Sequence, residues 1–193
     1  MIALPFSANR QPELAGGRVY LRHPSFVDHH EWARLRADSR DFLTRWEPTW
    51  PPDDLGRQAY KARVRRYQND IQEGVGYPFF IFSQSERRLL GGVTLGNVRR
   101  GVAQSAQIGY WLGHQHAGRG LMLDALGLII PFAFDGLRLH RLEAACIPEN
   151  TRSIRLLEKA GFAREGLLQS YLKINGQWRD HLLFSRIEDG DAG

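Results

Sequence analysis

The chain has 193 residues, 42% of them hydrophobic and 24% charged, with a formal net charge of +5; this suits one well-cored globular domain and leaves no room for two large ones. Its longest apolar run, Leu121 to Phe134, contains Asp124 and Pro131 and falls short of a membrane span, and the start has no positive charge ahead of its short apolar patch, as a secretory leader requires. The single cysteine, Cys146, can form neither an internal disulfide nor a metal-ligand spacing, so a cytoplasmic protein with no membrane contact is expected, its basic balance favouring an acidic partner such as nucleic acid or a ribosome.

In chain order, residues 1–17 read as a lead-in, mobile from Leu4 to Gly17, before a strand at "RVYLRHP" that Pro24 closes. Val27 to Asp38 and Asp54 to Glu73 read as helices. In the second, Tyr60, Val64, Tyr67 and Ile71 form one apolar stripe, and Lys61, Arg63, Arg65 and Arg66 lie opposite, as a solvated face or as a surface for RNA or a ribosome. Three strands follow, "YPFFIFSQ", "LLGGVTLGNV" and "QSAQIGYWLG". From Gly118 to about Gly136 the period becomes helical with a wide apolar face, and Pro131 inside it predicts a kink or an early end. "HRLEAACIP" is a strand. A helix from Thr151 to Ala160 is capped by Asn150 and closed by Gly161 as the left-handed residue of a Schellman ending, with Phe162 on Leu157. Asn175-Gly176 between "LLQSYLKI" and "QWRDHLLFSRI" predicts a tight hairpin, since both turn positions need positive φ. The pattern is one mixed α/β domain over residues 18–187, with a tail at 188–193.

The chemistry sits in "YWLGHQHAGRGLMLDAL", where a helix opens directly after a strand. Such a start exposes unpaired main-chain N–H groups and a partial positive charge, a cradle for phosphate. Gly118 and Gly120 let an anion approach without a Cβ in the way, and Arg119 adds a cation. The lysine and hydroxyl of a Walker loop and the third glycine of a dinucleotide fingerprint are missing. A metal held by His114 and His116 lacks nearby cysteines or spaced carboxylates, so no metal is expected.

"QHAGRG", Gln115 to Gly120, is similar to the pyrophosphate loop of the GCN5-related N-acetyltransferases (GNAT), and "NTRSIRLLEKAGF" resembles that superfamily's second signature. Within it, "RWEPTWP", "GNVRRG", "GLMLDAL", "PEN", "GFAREG" and "NGQWRDH" resemble the ribosomal-protein-alanine N-acetyltransferases, closest to those acting on a small-subunit protein, over about Arg18 to Ile187. The resemblance implies a single-domain GNAT fold, a mixed, mostly antiparallel sheet splayed at its fourth strand with helices on both faces. It implies acetyl-CoA as donor: diphosphate on the amides of about His116 to Leu121, pantetheine along Ile108, Tyr110 and Leu112, and further contacts from Gln115, Arg119, Asn150 and Ser153, with the His116 side chain at the rim. It also implies a ribosomal protein N-terminus as acceptor and direct transfer without an acyl-enzyme; ribosome association, and a monomer or a homodimer, stay open.

For catalysis, an α-amine of pKa about 8 is roughly one-tenth neutral at pH 7, so a modest base suffices, and a strand N–H can stabilise the oxyanion. Cys146 has no His or cation beside it in sequence and is a poor nucleophile. By resemblance Glu165 is the expected base and Glu143 the runner-up; the plain readings are a strand-edge glutamate and a partner for Arg141. The tyrosine that many relatives use to protonate the thiolate is replaced here by Leu157, which leaves Ser153 to solvate or relay at the sulfur. Trp46, Glu47, Trp50 and the "INGQW" hairpin are the expected acceptor walls, with Glu47 for the ammonium. Two other readings remain at this level: transfer to a polyamine or antibiotic amine, and a non-catalytic acyl-CoA-binding module that sits on ribosomes.

Overall fold

The computed structural model describes residues 13–188. Most of the expected lead-in and tail, residues 1–12 and 189–193, lies outside them. Eight strands form one sheet in the order β1-β2-β3-β4-β5-β6-β8-β7: β1 (Leu14–Gly16), β2 (Val19–Arg22), β3 (Tyr77–Ser83), β4 (Leu89–Arg99), β5 (Ser105–Leu112), β6 (Arg141–Cys146), β7 (Ala163–Ile174) and β8 (Gln177–Ile187). The helices are α1 (His29–Asp38), α2 (Arg40–Leu43), α3 (Arg57–Glu73), α4 (Leu121–Pro131) and α5 (Thr151–Lys159).

Both faces of the sheet are covered, and β3 is why its sequence is apolar without alternation. Phe79 and Ile81 join the large core with Leu126, Ile129 and Leu142 under α4, whereas Phe80 and Phe82 join Tyr20, Trp32, Tyr60 and Val64 under α1 and α3. The end of the expected lead-in is an edge strand: β1 pairs with β2, and the Leu128 side chain of α4 lies against Gly16. The fourth strand expected from sequence is therefore β5. Its neighbour β6 is the one parallel partner, and their ladder covers only Ser105–Gln107 against Arg141–Glu143. On its other edge β5 stays paired with β4 out to Leu112. Beyond Gln107 the two parallel strands part, leaving the β6-facing main chain of Ile108–Leu112 without a strand partner.

Local signals were decisive where the chain decides its own geometry. The Phe162 amide donates to the Leu157 carbonyl and the Gly161 amide to Glu158, with Gly161 at φ 81°, the expected Schellman ending of α5. Asn175 and Gly176 have φ 44° and 82° and join β7 to β8. Pro131 cannot donate to the carbonyl one turn back, and α4 gives way there to a π turn, Phe132–Gly136, in which the Leu137 amide reaches the Phe132 carbonyl. Two helix boundaries moved. Phe26–Asp28 is a 3₁₀ turn because Asp28 folds back to the Ser25 amide and to Arg22, and α3 starts at Arg57 rather than Asp54, whose carboxylate binds Arg63 instead. The short α2 carries no periodic signal and was not expected.

Candidate active site

The parting of β5 from β6 opens a cleft of about 1130 Å³. Residues 37–47, around α2, form one wall; the starts of α4 and α5 form the other, with Tyr110, Trp111 and Leu112 between them. At the mouth, Gly118 and Gly120 stand at φ 76° and 77°, where a side chain is strained, and the space beside Gly118 is open for 4 Å. The first donor along α4 is the Asp124 amide, to Gly120, so the amides of Leu121 to Leu123 have no intrahelical acceptor. Arg18, a residue the sequence offered no reason to choose, adds a cation here: it donates to the Arg119 carbonyl at 3.0 Å and to Asp124 at 2.7 Å.

Of the residues expected to hold the donor, Tyr110, Leu112, Gly118, Gly120, Leu121, Asn150 and Ser153 line this cleft. Ile108 faces the core, and Gln115 and Arg119 are exposed without lining the cleft. The expected rim position of His116 is corrected: the ring is 2% exposed and packs beside Gly113 with Gln115 at 3.3 Å, and burial holds its pKa down. The ring does not line the cleft.

At the cleft floor the Tyr110 hydroxyl lies 2.7 Å from Ser153 Oγ, and Asn150 accepts from the Ser153 amide, capping α5. Burial pushes the Tyr110 phenol and the Cys146 thiol up, so both stay protonated at neutral pH and Cys146 is a poor nucleophile. Leu157 is 1% exposed in the core.

The opposite face of the same junction is polar. Arg141 donates through Nε to Glu143 at 2.8 Å and through both terminal nitrogens to Glu165, which also accepts from Ser185 Oγ. Those bonds hold the Glu165 carboxyl, the expected base, down at about 2, while Glu143 is held by Arg141 and, at 3.4 Å, by Arg99. Glu143 stands opposite Gln107 on the last rung before the strands part. A second chain of bonds runs from Asn97 through Gln107 to Tyr171.

The expected acceptor walls are tied to one another. Glu47 is held by the fork of buried Arg36 at 2.6 and 3.0 Å and by Trp50 Nε1 at 2.7 Å, so its carboxylate is not free for an ammonium as expected. Trp50 stacks on Arg36 at 4.1 Å and does not line the cleft, whereas Trp46 does, and also lines a hollow of about 370 Å³ with Arg45, Glu149 and the hairpin tip. The Asn175 amide donates to the Glu47 carbonyl, which fastens the β7–β8 hairpin over this side. Among the described residues no group of three His, Cys, Asp or Glu could hold a metal, and no helix is long and apolar enough to cross a membrane.

A sheet opened beside unpaired helix amides, with hydroxyls at its floor and carboxylates behind it, defines an acyl-CoA-dependent transferase. Residues 18–163 match the family described as an acetyltransferase (GNAT) domain, and the chain belongs to it and is an N-acetyltransferase. It is 34% identical over 158 residues to the [ribosomal protein uS5]-alanine N-acetyltransferase of Escherichia coli, covering 81% of each chain. It is 37% identical to the "Probable N-acetyltransferase YjcK" of Bacillus subtilis, over 92% of this chain and 98% of that one. Among solved structures, RimJ of Mycobacterium smegmatis in complex with CoA-disulfide superposes with a TM-score of 0.85 at 33% identity, over 95% of this chain and 88% of that one. The donor expected for this fold, acetyl-CoA, fits the residues present: unpaired amides for the diphosphate, an open strand edge for pantetheine and hydroxyls where the sulfur would end.

Proposed function

We propose that this enzyme acetylates the N-terminal α-amine of a ribosomal protein, with an N-terminal alanine as its acceptor. The observation that carries this reading is the state of the carboxylates at the junction. Arg141 engages both, and Glu165 is held at about 2. Carboxylates paired with arginine in this way suit an amine that is already about one-tenth neutral at pH 7, not a lysine of pKa about 10.4. The names of the Escherichia coli relative and of a Vibrio fischeri structure, a ribosomal-protein-S5-alanine acetyltransferase with a TM-score of 0.86 at 28% identity, support the acceptor class.

The donor supplies an activated thioester carbonyl. Amides of Gly118 to Leu123, helped by Arg18, grip its diphosphate, and the unpaired N–H groups of β5 face the developing oxyanion. Glu143, directly or through a water, takes the proton of the attacking amine, and Glu165 holds Arg141 in place. Ser153 Oγ, hydrogen-bonded to Tyr110, donates to the departing sulfur, which gives this chain a hydroxyl pair in place of the tyrosine absent at Leu157. That pair argues against a non-catalytic binding module.

The test is acetyl transfer from acetyl-CoA to N-terminal peptides of ribosomal proteins and to polyamine and aminoglycoside acceptors, with mass spectrometry of ribosomal proteins from a deletion strain. Transfer to an alanine-starting peptide, and loss of one N-terminal acetyl group in the strain, are expected. Transfer to the small amines alone, with every ribosomal protein unchanged, would overturn the peptide reading.

A further inference from the structure

On the core side, Ile108 of β5 and Ala144 and Cys146 of β6 are buried in the main core, so the polar face is the side of the junction taken as the approach of the amine. There β5 presents Gln107 and Gly109, and nothing lies within 4 Å of where a Gly109 side chain would begin. Tyr171 reaches this face from an unexpected direction. Tyr171 belongs to β7, which β8 separates from β6, yet its hydroxyl accepts a hydrogen bond from Gln107 Nε2 at 3.3 Å. Two departures from regular strand geometry make this reach. β7 slips register between Leu168 and Leu172, with Ser170 at φ 46° and its amide on Asp180, and the Tyr171 ring rests edge-on against His181 at 5.6 Å. On the far side β4 slips between Gly96 and Arg99, with Asn97 at φ 49°, and Asn97 Nδ2 donates to Gln107 Oε1 at 2.7 Å, which turns the Gln107 amide nitrogen toward Tyr171. Non-glycine residues in the left-handed region are costly and persist where the surrounding structure imposes them.

We infer that Asn97, Gln107 and Tyr171 form a bar across the acceptor face of the parted strands, and that the slot between the Tyr171 ring and Gly109 sets the size limit on the acceptor's first side chain. The inference rests on the α-amine reading above and names the selectivity within it. An amine entering beneath the bar carries its α-substituent into the slot, so hydrogen or methyl fits and a branched or aromatic side chain meets the ring. Tyr171 is a specificity residue; it takes no proton in the reaction.

The test compares kcat/KM for peptides that differ only in a first residue of Gly, Ala, Leu or Phe, and for the corresponding α-amino amides. The native enzyme is expected to prefer Ala over Leu by about tenfold or more, the order of discrimination that pocket sterics give. Tyr171→Ala should cut that ratio by about tenfold through a gain on Leu, with the KM for acetyl-CoA within about twofold, and Tyr171→Phe should keep the ratio within about threefold. Gly109→Val, at a position without positive φ, fills the slot from its floor and should move the preference from Ala toward Gly. An unchanged Ala/Leu ratio in Tyr171→Ala, or a native enzyme indifferent to the first side chain, overturns the inference. Should Tyr171→Ala fail to fold, an unchanged Gly/Ala preference in Gly109→Val overturns it equally. Transfer to the amides in the expected size order but to no peptide sinks the peptide reading and leaves the slot standing.

Discussion

Arg141 is the residue on which the two candidate bases divide. Its Nε serves Glu143 and its fork serves Glu165, and the second geometry is bidentate, the stronger arrangement. Glu165→Gln is expected to retain at least about a tenth of the native kcat/KM, since it alters only how Arg141 is held, whereas Glu143→Gln should lose about 10²-fold or more at pH 7; equal losses in both would return Glu165 to the role of base. The same ion pair fixes an acid limb. Because the folded carboxyl of Glu165 lies at about 2, below its ordinary range, its contribution is complete above about pH 4.5 and is lost as pH falls toward 2. Urea midpoints measured at pH 5 and pH 3 should therefore differ less in Glu165→Gln than in the native protein. The acidic residues and the pairing of Glu143 with Arg141 were legible in the sequence, but the pairing of Glu165 was not: it is 24 residues from Arg141 and meets it only through the β6, β8, β7 order.

At the scale of elements, the two helices that follow β5 and β6 carry the binding site at their first turns. Gly120→Glu places a side chain at φ 77° and within 3.0 Å of the Arg18 guanidinium. It should cost about 1 to 2 kcal/mol of stability from backbone strain and weaken CoA binding by tenfold or more in calorimetry. Gly120→Ala carries the strain without the charge and separates the two effects. Loss of the α5 cap in Asn150→Ala should lower stability by about 1 kcal/mol, read from the thermal midpoint. Caps, the Schellman ending and the hairpin turn were readable because each is decided within a few residues. The α2 segment was not, having four residues and no period, and neither was the π turn that follows Pro131.

At the scale of the whole molecule, α3 keeps a basic face. Lys61, Arg65 and Arg66 make no ion pair among the described residues, whereas Arg63, expected beside them, turns inward to Asp54 and over the Trp32 ring. If that face meets ribosomal RNA, Lys61→Glu with Arg65→Glu should leave transfer to a free peptide unchanged and slow transfer on intact particles, an effect that fades as salt rises. Equal rates on particles for native and variant enzymes would confine the face to solvation.

The linear order of residues determined the strand and helix sequence, the glycine-opened start of α4 and the membership of the acetyltransferase family, because these follow from periodicity, turn chemistry and a short contiguous loop. Which carboxylate takes the fork of Arg141, how His116 is buried and Glu47 tied to Arg36, and how Tyr171 reaches Gln107 were decided only in three dimensions. Each depends on partners brought together across the sheet by register and bulge, and no local rule fixes a register shift or the partner of a buried charge.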